Sequence, residues 1–109
     1  MATKANIIID QGTTFSTDIY LTDDNGDAFD LTGYTGVSKM RKHYTSSNAQ
    51  SFTVSLNTAN GFVTLSLTSA DTSDLTAGRY VYDVEVTSSS NVVSRIVEGI
   101  VTVTPQVTR

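Results

Sequence analysis

The chain has 109 residues, no cysteine, one histidine and a formal net charge of −4. This length is typical of one domain with its own core, and the missing cysteine excludes disulfides, thiol chemistry and cysteine-ligated metals. The acidic balance argues against general binding to nucleic-acid phosphates. We therefore expect one domain over residues 1–109 without a nucleic-acid partner, and the sequence leaves open a flexible N-terminal arm over residues 1–6.

Short segments that alternate apolar and polar residues follow one another along the chain, and turn residues separate most of them. A period of two buries one face of each strand and is typical of antiparallel sheets. Strands at this short spacing indicate a β-sandwich or a small barrel. The predicted strands span residues 5–9, 14–22, 27–31, 35–43, 50–57, 62–67, 79–87 and 92–104. The apolar run 7–9 is too short for a signal-peptide core or a membrane span, so we expect no membrane partner.

Local signals predict how these strands are connected. Asn25-Gly26 and Asn60-Gly61 are typical of two-residue hairpin turns, because such turns need a positive φ. Residues 68–78 break the alternation, and Thr68 or Ser69 can cap one helical turn. We therefore predict a short helical turn near 69–75 that crosses between the sheets, with Leu75 in the core.

Gly99 interrupts the last predicted strand. An isolated glycine in a strand predicts a bulge or a bend. A bulge at this point would also bring Ile96 to the same face as Val101 and Val103, so that all three reach the core. Pro105 has no backbone N–H and is predicted to end the strand.

The acidic turn at residues 23–27, with Asp30 nearby, has the composition of a calcium loop. An EF-hand loop needs glycine at position six and oxygen ligands at positions one and twelve. With Gly26 at position six, those two positions fall on Leu21 and Thr32, and neither fits. We therefore interpret the segment as a solvated β-turn and predict no metal site.

No residue pattern indicates catalysis. His43 is the only histidine, and without cysteine no zinc site of the usual composition can form. A nucleophilic triad would also need His43, and no nucleophile-elbow sequence marks a serine. No glycine-rich phosphate loop occurs. We predict a protein that is not an enzyme, with no catalytic residues, no cofactor and no small-molecule substrate.

Glu98 is the acidic residue with the most apolar surroundings, because it lies within the stretch 96–101. A buried carboxylate needs a partner, and Arg41 and Arg95 are the candidates. We interpret Glu98 as a member of a structural ion pair or as an outward-facing residue rather than as a catalytic acid.

A cluster of basic residues stands out in this acidic chain. It consists of Lys39, Arg41, Lys42 and His43. On a strand, Lys39 and Arg41 share one face, whereas Met40 and Lys42 share the other. One interpretation is an edge strand whose charges prevent edge-to-edge aggregation. The other is an electrostatic docking patch for an acidic neighbouring subunit.

Five further segments of the chain contain short motifs whose order can be compared with that of known protein families. They are Gly12 to Phe15, Asp30 to Thr35 before the basic strand, Leu67 to Thr72, Ala77 to Asp83, and Glu98 to Val103. This order resembles small bacteriophage virion proteins with an immunoglobulin-like fold, and it is similar to the amino-terminal domains of baseplate upper proteins. Tyr80 lies where such sandwiches have a tyrosine corner. In contrast to the larger apolar residues usual in the basic strand, Gly36 and Ser38 are predicted to face inward.

The resemblance implies an all-β, immunoglobulin-like antiparallel sandwich of seven to eight strands. It further implies a non-enzymatic virion structural protein that docks to other virion subunits, as a tail or baseplate accessory protein or as a capsid decoration protein. Its partners would be other phage virion proteins, with self-association also open, and its location would be the virion, after assembly in the host cytoplasm. The alternative is an adhesin-like module that binds a glycan or protein of the host surface.

Overall fold

Two β-sheets form the fold in the computed structural model, which describes residues 3–22, 26–27, 29–43, 45, 49–58 and 60–107. Within these residues there is one helix, α1 (Ser69–Ser73), between the seventh and eighth strands. The strands are β1 (Thr3–Lys4), β2 (Ile7–Asp10), β3 (Phe15–Tyr20), β4 (Thr35–Arg41), β5 (Gln50–Ser51), β6 (Thr53–Asn57), β7 (Phe62–Leu67), β8 (Gly78–Thr87) and β9 (Val93–Thr104).

The larger sheet has the order β1-β9-β8-β4-β5, with β2 also paired to β9, and the smaller sheet has the order β3-β7-β6. In an immunoglobulin-like sandwich, β4, β8 and β9 correspond to strands C, F and G, and β3, β7 and β6 to strands B, E and D. The predicted all-β sandwich is therefore confirmed. Its pairing is antiparallel except at one edge, where β1 and β2 run parallel to β9.

The core lies between the two sheets, where alternate residues of facing strands meet. Its largest fully buried side chains include Ile9, Leu31, Met40, Leu65 and Val97. Ser38 is also buried, and its hydroxyl donates to the carbonyl oxygen of Asp83 at 2.6 Å. A Cβ at Gly36 would lie 2.9 Å from Cγ1 of Val54, so the sheets approach closely there. The prediction that residues 36 and 38 face inward is confirmed.

The connection between the sheets contains the predicted helical turn. The Thr68 hydroxyl accepts a hydrogen bond from the Asp71 amide at 3.2 Å and caps α1. Thr72 is fully buried, and its hydroxyl donates to the Thr13 carbonyl oxygen at 2.7 Å. Leu75 reaches the core as predicted. The Tyr80 hydroxyl donates to the Thr76 carbonyl oxygen at 2.8 Å, which confirms the tyrosine corner.

The strand predicted over 27–31 is wrong. Residues 27 and 29–31 have no ladder partner; the Phe29 amide donates to the Leu21 carbonyl oxygen at 3.1 Å. Leu31 fills the core from this loop. The Thr32 amide donates to the Asp30 carboxylate at 3.0 Å, which holds the pKa of that carboxyl below its usual value. Alternation predicted a strand here because it reflects which residues are buried, not whether the segment joins a ladder.

The two predicted hairpin turns have different outcomes. Asn25 lies outside the described residues. Between β6 and β7 the connection spans residues 58–61, so it is a four-residue loop rather than the predicted two-residue turn. Gly61 has the positive φ, and the Asn60 amide donates to the Asn57 side chain at 2.9 Å. The side-chain bond of Asn57 therefore closes a longer loop than the dipeptide alone predicts.

The bulge predicted at Gly99 lies elsewhere. Val84 is opposite Val97 and Glu85 is opposite Arg95, so the extra residue of β9 is Ile96. Gly99 is regularly paired, and a Cβ at this position would lie 2.9 Å from the carbonyl carbon of Ala5, with the carbonyl oxygen closer still. This glycine therefore provides room for the Ala5 carbonyl group, at the point where the N-terminal segment runs alongside β9 between β1 and β2. Val97 joins Val101 and Val103 in the core, and Ile96 is partly buried and packs against it.

Candidate functional site

The outward-facing side of the larger sheet contains a charged concavity of about 400 Å³. Alternate residues of three neighbouring strands line it. We call this surface the outer face; its side chains are Val37, Lys39 and Arg41 of β4, Val81, Asp83 and Glu85 of β8, and Arg95 and Glu98 of β9. The cations of one strand thus lie beside the carboxylates of the next.

Strand register determines which charges meet. Lys39 is opposite Asp83 on the neighbouring strand, and Asp83 is opposite Glu98 on its other side. Like charges directly opposite each other are destabilising unless a counter-charge lies between them. The Arg95 guanidinium supplies it: its Nε lies 3.1 Å from Asp83 Oδ2, and its Nη1 lies 3.5 Å from Glu98 Oε2.

The bulge at Ile96 makes this arrangement possible. In a regular strand, residues three apart point to opposite faces. The extra residue at Ile96 brings Arg95 to the same face as Glu98, so one guanidinium reaches both carboxylates. Of the two partners predicted for Glu98, the one observed is Arg95. The Glu98 side chain is about one-third exposed, so this pair is not a buried charge.

The outer face is divided into two stripes of opposite sign. Lys39 and Arg41 give the β4 stripe a charge of two positive units. The stripe formed by β8 and β9 has three carboxylates and one guanidinium, which leaves two negative units. Lys39 and Glu85 are exposed, and neither forms an ion pair within the described residues. The outer face therefore offers separate charges of both signs to a partner.

The structure divides the predicted docking patch. Lys39 and Arg41 lie on the outer face, as predicted from their shared strand face. Lys42 follows the end of β4, and its ammonium lies 4.8 Å from the centroid of the Tyr80 ring, at the tyrosine corner. His43 is exposed beyond the strand. Sequence reasoning missed the carboxylates of the same face, because only the pairing of β4 with β8 brings them beside Lys39.

The edge-strand interpretation of the basic cluster fits β4 only in part. This strand pairs with β8 along its whole length, from Thr35 to Arg41. On its other side, β5 covers Lys39 and Met40, and the Phe52 amide donates to the Ser38 carbonyl oxygen. The charges of β4 lie on the face of the sheet as well as near its edge, so edge protection and docking both remain interpretations of this cluster.

A second surface feature is an exposed aromatic pair on the outward side of the smaller sheet. Tyr20 is 65% exposed, and its ring centroid lies 4.8 Å from that of Phe62. Next to the pair on the same strands, the Thr64 hydroxyl donates to the Asp18 carboxylate at 2.7 Å. Sequence reasoning missed this cluster, because the two aromatic residues are far apart along the chain and meet only when β3 and β7 pair.

Two further properties concern ligands and membranes. Among the residues that the structure describes, no group of three or more His, Cys, Asp or Glu side chains is arranged to hold a metal ion. The same part of the chain contains no helix that is both long enough and apolar enough to cross a bilayer.

Comparison with known proteins identifies the fold and no family. No family model matches the chain, and no curated protein matches it. A solved structure that matches is an internalin-like protein of Listeria monocytogenes, with 20% sequence identity and a TM-score of 0.54. The match covers 94% of this chain and 28% of the internalin-like protein, so the chain spans about a quarter of that protein's length. At this identity the likeness supports an immunoglobulin-like β-sandwich and nothing about activity.

Proposed function

We propose that this chain is a non-enzymatic structural protein of a bacteriophage virion that docks to other virion subunits through its outer face. The observation that carries the docking role is the pair of oppositely charged stripes across the concavity of the larger sheet. The assignment to a virion is supported by the order of sequence motifs, which resembles small phage proteins with this fold. Location in the virion, after assembly in the host cytoplasm, follows from the same resemblance.

Charge stripes of this kind suit docking because they orient a partner and raise the rate of encounter more than they raise affinity. The partner has to present negative charge above the β4 stripe and positive charge above the stripe formed by β8 and β9. A uniformly acidic neighbour, which the basic cluster alone suggested, would be repelled by Asp83, Glu85 and Glu98. In a virion, many copies act together, so weak individual contacts add up to firm attachment.

The test compares charge reversals on and off the outer face. Virions are produced with the variant Lys39→Glu/Arg41→Glu, and the copy number of the protein is measured by mass spectrometry of purified particles. Lys42→Glu is the matched control, because Lys42 belongs to the same basic cluster but lies at the tyrosine corner. We expect the double variant to be depleted from particles while it remains folded, and the control to be incorporated normally.

Two results would count against the proposal. The absence of the unmodified protein from purified virions would contradict the virion assignment. Normal incorporation of the folded double variant would contradict docking through the outer face, and would leave the charges of β4 as protection of a sheet edge.

An adhesin-like module that binds a host-surface glycan is the second candidate, and the aromatic pair of Tyr20 and Phe62 favours it. An exposed ring offers a flat apolar surface, and the hydroxyl and carboxylate groups beside it can bind sugar hydroxyls. The test is binding to a glycan array by the unmodified protein and by Tyr20→Ala. Val37→Ala, which truncates an exposed side chain on the opposite sheet, is the control. Glycan binding that is lost only in Tyr20→Ala would support this candidate.

A further inference from the structure

We infer that two copies of this chain associate through their outer faces, with the cationic stripe of each copy against the anionic stripe of the other. This inference rests on the proposed docking role of that face and names the partner as a second copy. The resulting contact is isologous, meaning that both copies contribute the same surface around a two-fold axis.

The first argument is charge. The outer face has a stripe of two positive units on β4 next to a stripe of two negative units on β8 and β9. A face that contains both signs side by side, in equal amount, is complementary to itself. The chain as a whole has a net charge of −4, so this balance is a property of the face rather than of the average surface.

The second argument is geometry. Strands β4 and β8 are adjacent and antiparallel, with Lys39 opposite Asp83 in the register. A two-fold axis in the contact plane, along the boundary between these strands, exchanges their positions. It therefore places β4 of each copy over β8 of the other, and Lys39 of one over Asp83 of its partner. Because the axis is two-fold, the Lys39–Asp83 contact forms twice in the dimer, once in each direction.

The third argument is apolar surface at the same face. Val37 is 58% exposed within the concavity, and Ile100, directly opposite Val81 in the register, is 41% exposed. Burying such aliphatic side chains supplies the favourable free energy that surface ion pairs contribute only weakly. Under the two-fold axis, the aliphatic stem of Arg41 in one copy covers Val81 in the other.

The test measures the mass of the full-length protein in solution by sedimentation equilibrium, from micromolar to millimolar concentrations. We expect the unmodified protein to form dimers. Lys39→Glu places a carboxylate against Asp83 of the other copy, and Asp83→Lys places a cation against Lys39 of the other copy. Each substitution should therefore weaken the dimer by about tenfold or more. Asp74→Lys is the control for the change in net charge made by Asp83→Lys, since Asp74 is exposed at the end of α1 and its substitution should leave the dimer intact.

The decisive arm mixes the two variants. In a mixed dimer, Glu at position 39 of one copy meets Lys at position 83 of the other, and the original Lys39–Asp83 contact forms at the second site. We therefore expect the mixture to form heterodimers at concentrations where each variant alone is monomeric. If the loss of the Asp83–Arg95 pair prevents folding, as judged by thermal melting, Glu85→Lys replaces Asp83→Lys. Position 85 lies over Val37 of the partner copy and diagonal to position 39, so the heterodimer is then expected to be weaker but still favoured over either homodimer.

The outcomes separate this inference from the proposed function. A monomeric unmodified protein, or a mixture of two folded variants that does not dimerise, overturns the inference. If that monomer still needs Lys39 and Arg41 for incorporation into virions, the docking role holds with a different partner. If dimers form and the Lys39→Glu/Arg41→Glu variant still enters virions normally, the self-association holds and the proposed docking role fails.

Discussion

Gly99→Ala tests the close approach of the N-terminal segment to β9 at Ala5. The added methyl group would lie 2.9 Å from the carbonyl carbon of Ala5, which is a main-chain atom and cannot rotate away as a side chain could. The segment must therefore move. This movement disturbs three hydrogen bonds. The Tyr82 hydroxyl donates to the Ala5 carbonyl oxygen, the Ala5 amide donates to the Glu98 carbonyl oxygen, and the Ile100 amide donates to Asn6 Oδ1.

The magnitude follows from these bonds and from the unfolded chain. Each hydrogen bond contributes about 1 kcal/mol net, so losing two or three costs roughly 2–3 kcal/mol. Alanine reduces the entropy of the unfolded chain relative to glycine, which returns about 0.4–1 kcal/mol. We expect a net loss of about 1–2.5 kcal/mol in the free energy of unfolding, because the clash outweighs the entropic gain. This corresponds to a melting temperature lower by about 5–15 °C.

The assay is urea denaturation of four proteins: the unmodified chain, Gly99→Ala, Tyr82→Phe and the double variant. Tyr82→Phe removes only the hydroxyl that donates to Ala5, and alone it should cost about 1 kcal/mol. In the Gly99→Ala background this cost should nearly vanish, because Ala5 is already displaced, giving a coupling energy of about 1 kcal/mol. An unchanged stability of Gly99→Ala, or strictly additive effects of the two substitutions, would refute the reasoning.

Three further predictions concern single side chains. Tyr80→Phe removes the corner bond to the Thr76 carbonyl oxygen and should lower the free energy of unfolding by about 1 kcal/mol in urea denaturation; an unchanged midpoint would contradict it. Thr68→Ala removes the cap that accepts from the Asp71 amide and should cost about 1 kcal/mol, whereas Thr68→Ser should retain most of the stability. Burial raises the pKa of Tyr82 from 10.0 to about 12, so its contribution to stability is fully present below pH 10 and is lost as the pH rises from 10 to 12. The tyrosinate absorbance of the folded protein should show one late-titrating group that Tyr82→Phe lacks, and equal titration of both proteins would contradict this.

Part of the fold could be predicted from the sequence, because the signals involved are local. Alternation with a period of two predicts the positions of most strands, since it depends only on which side of a strand meets the core. Thr68 as a helix cap and Tyr80 as a corner residue depend on bonds to residues three or four positions away. The same reasoning placed Lys39 and Arg41 on one face of one strand.

The rest was decided by pairing between distant segments. Alternation determines which face a residue occupies, but it contains no information about which strand lies beside it or in which register. For this reason it predicted a strand over 27–31, whose described residues join no ladder, and it placed the bulge at Gly99 rather than at Ile96.

The candidate sites depend on this non-local information most of all. The carboxylate of Asp83 meets Lys39 and Glu98 only because β8 lies between β4 and β9, and Tyr20 meets Phe62 only because β3 pairs with β7. Local patterns in the sequence are sufficient to predict an all-β fold with a basic strand. That this strand lies beside an acidic one follows from strand order and register, which arise from packing of the whole chain and determine which charges share a surface.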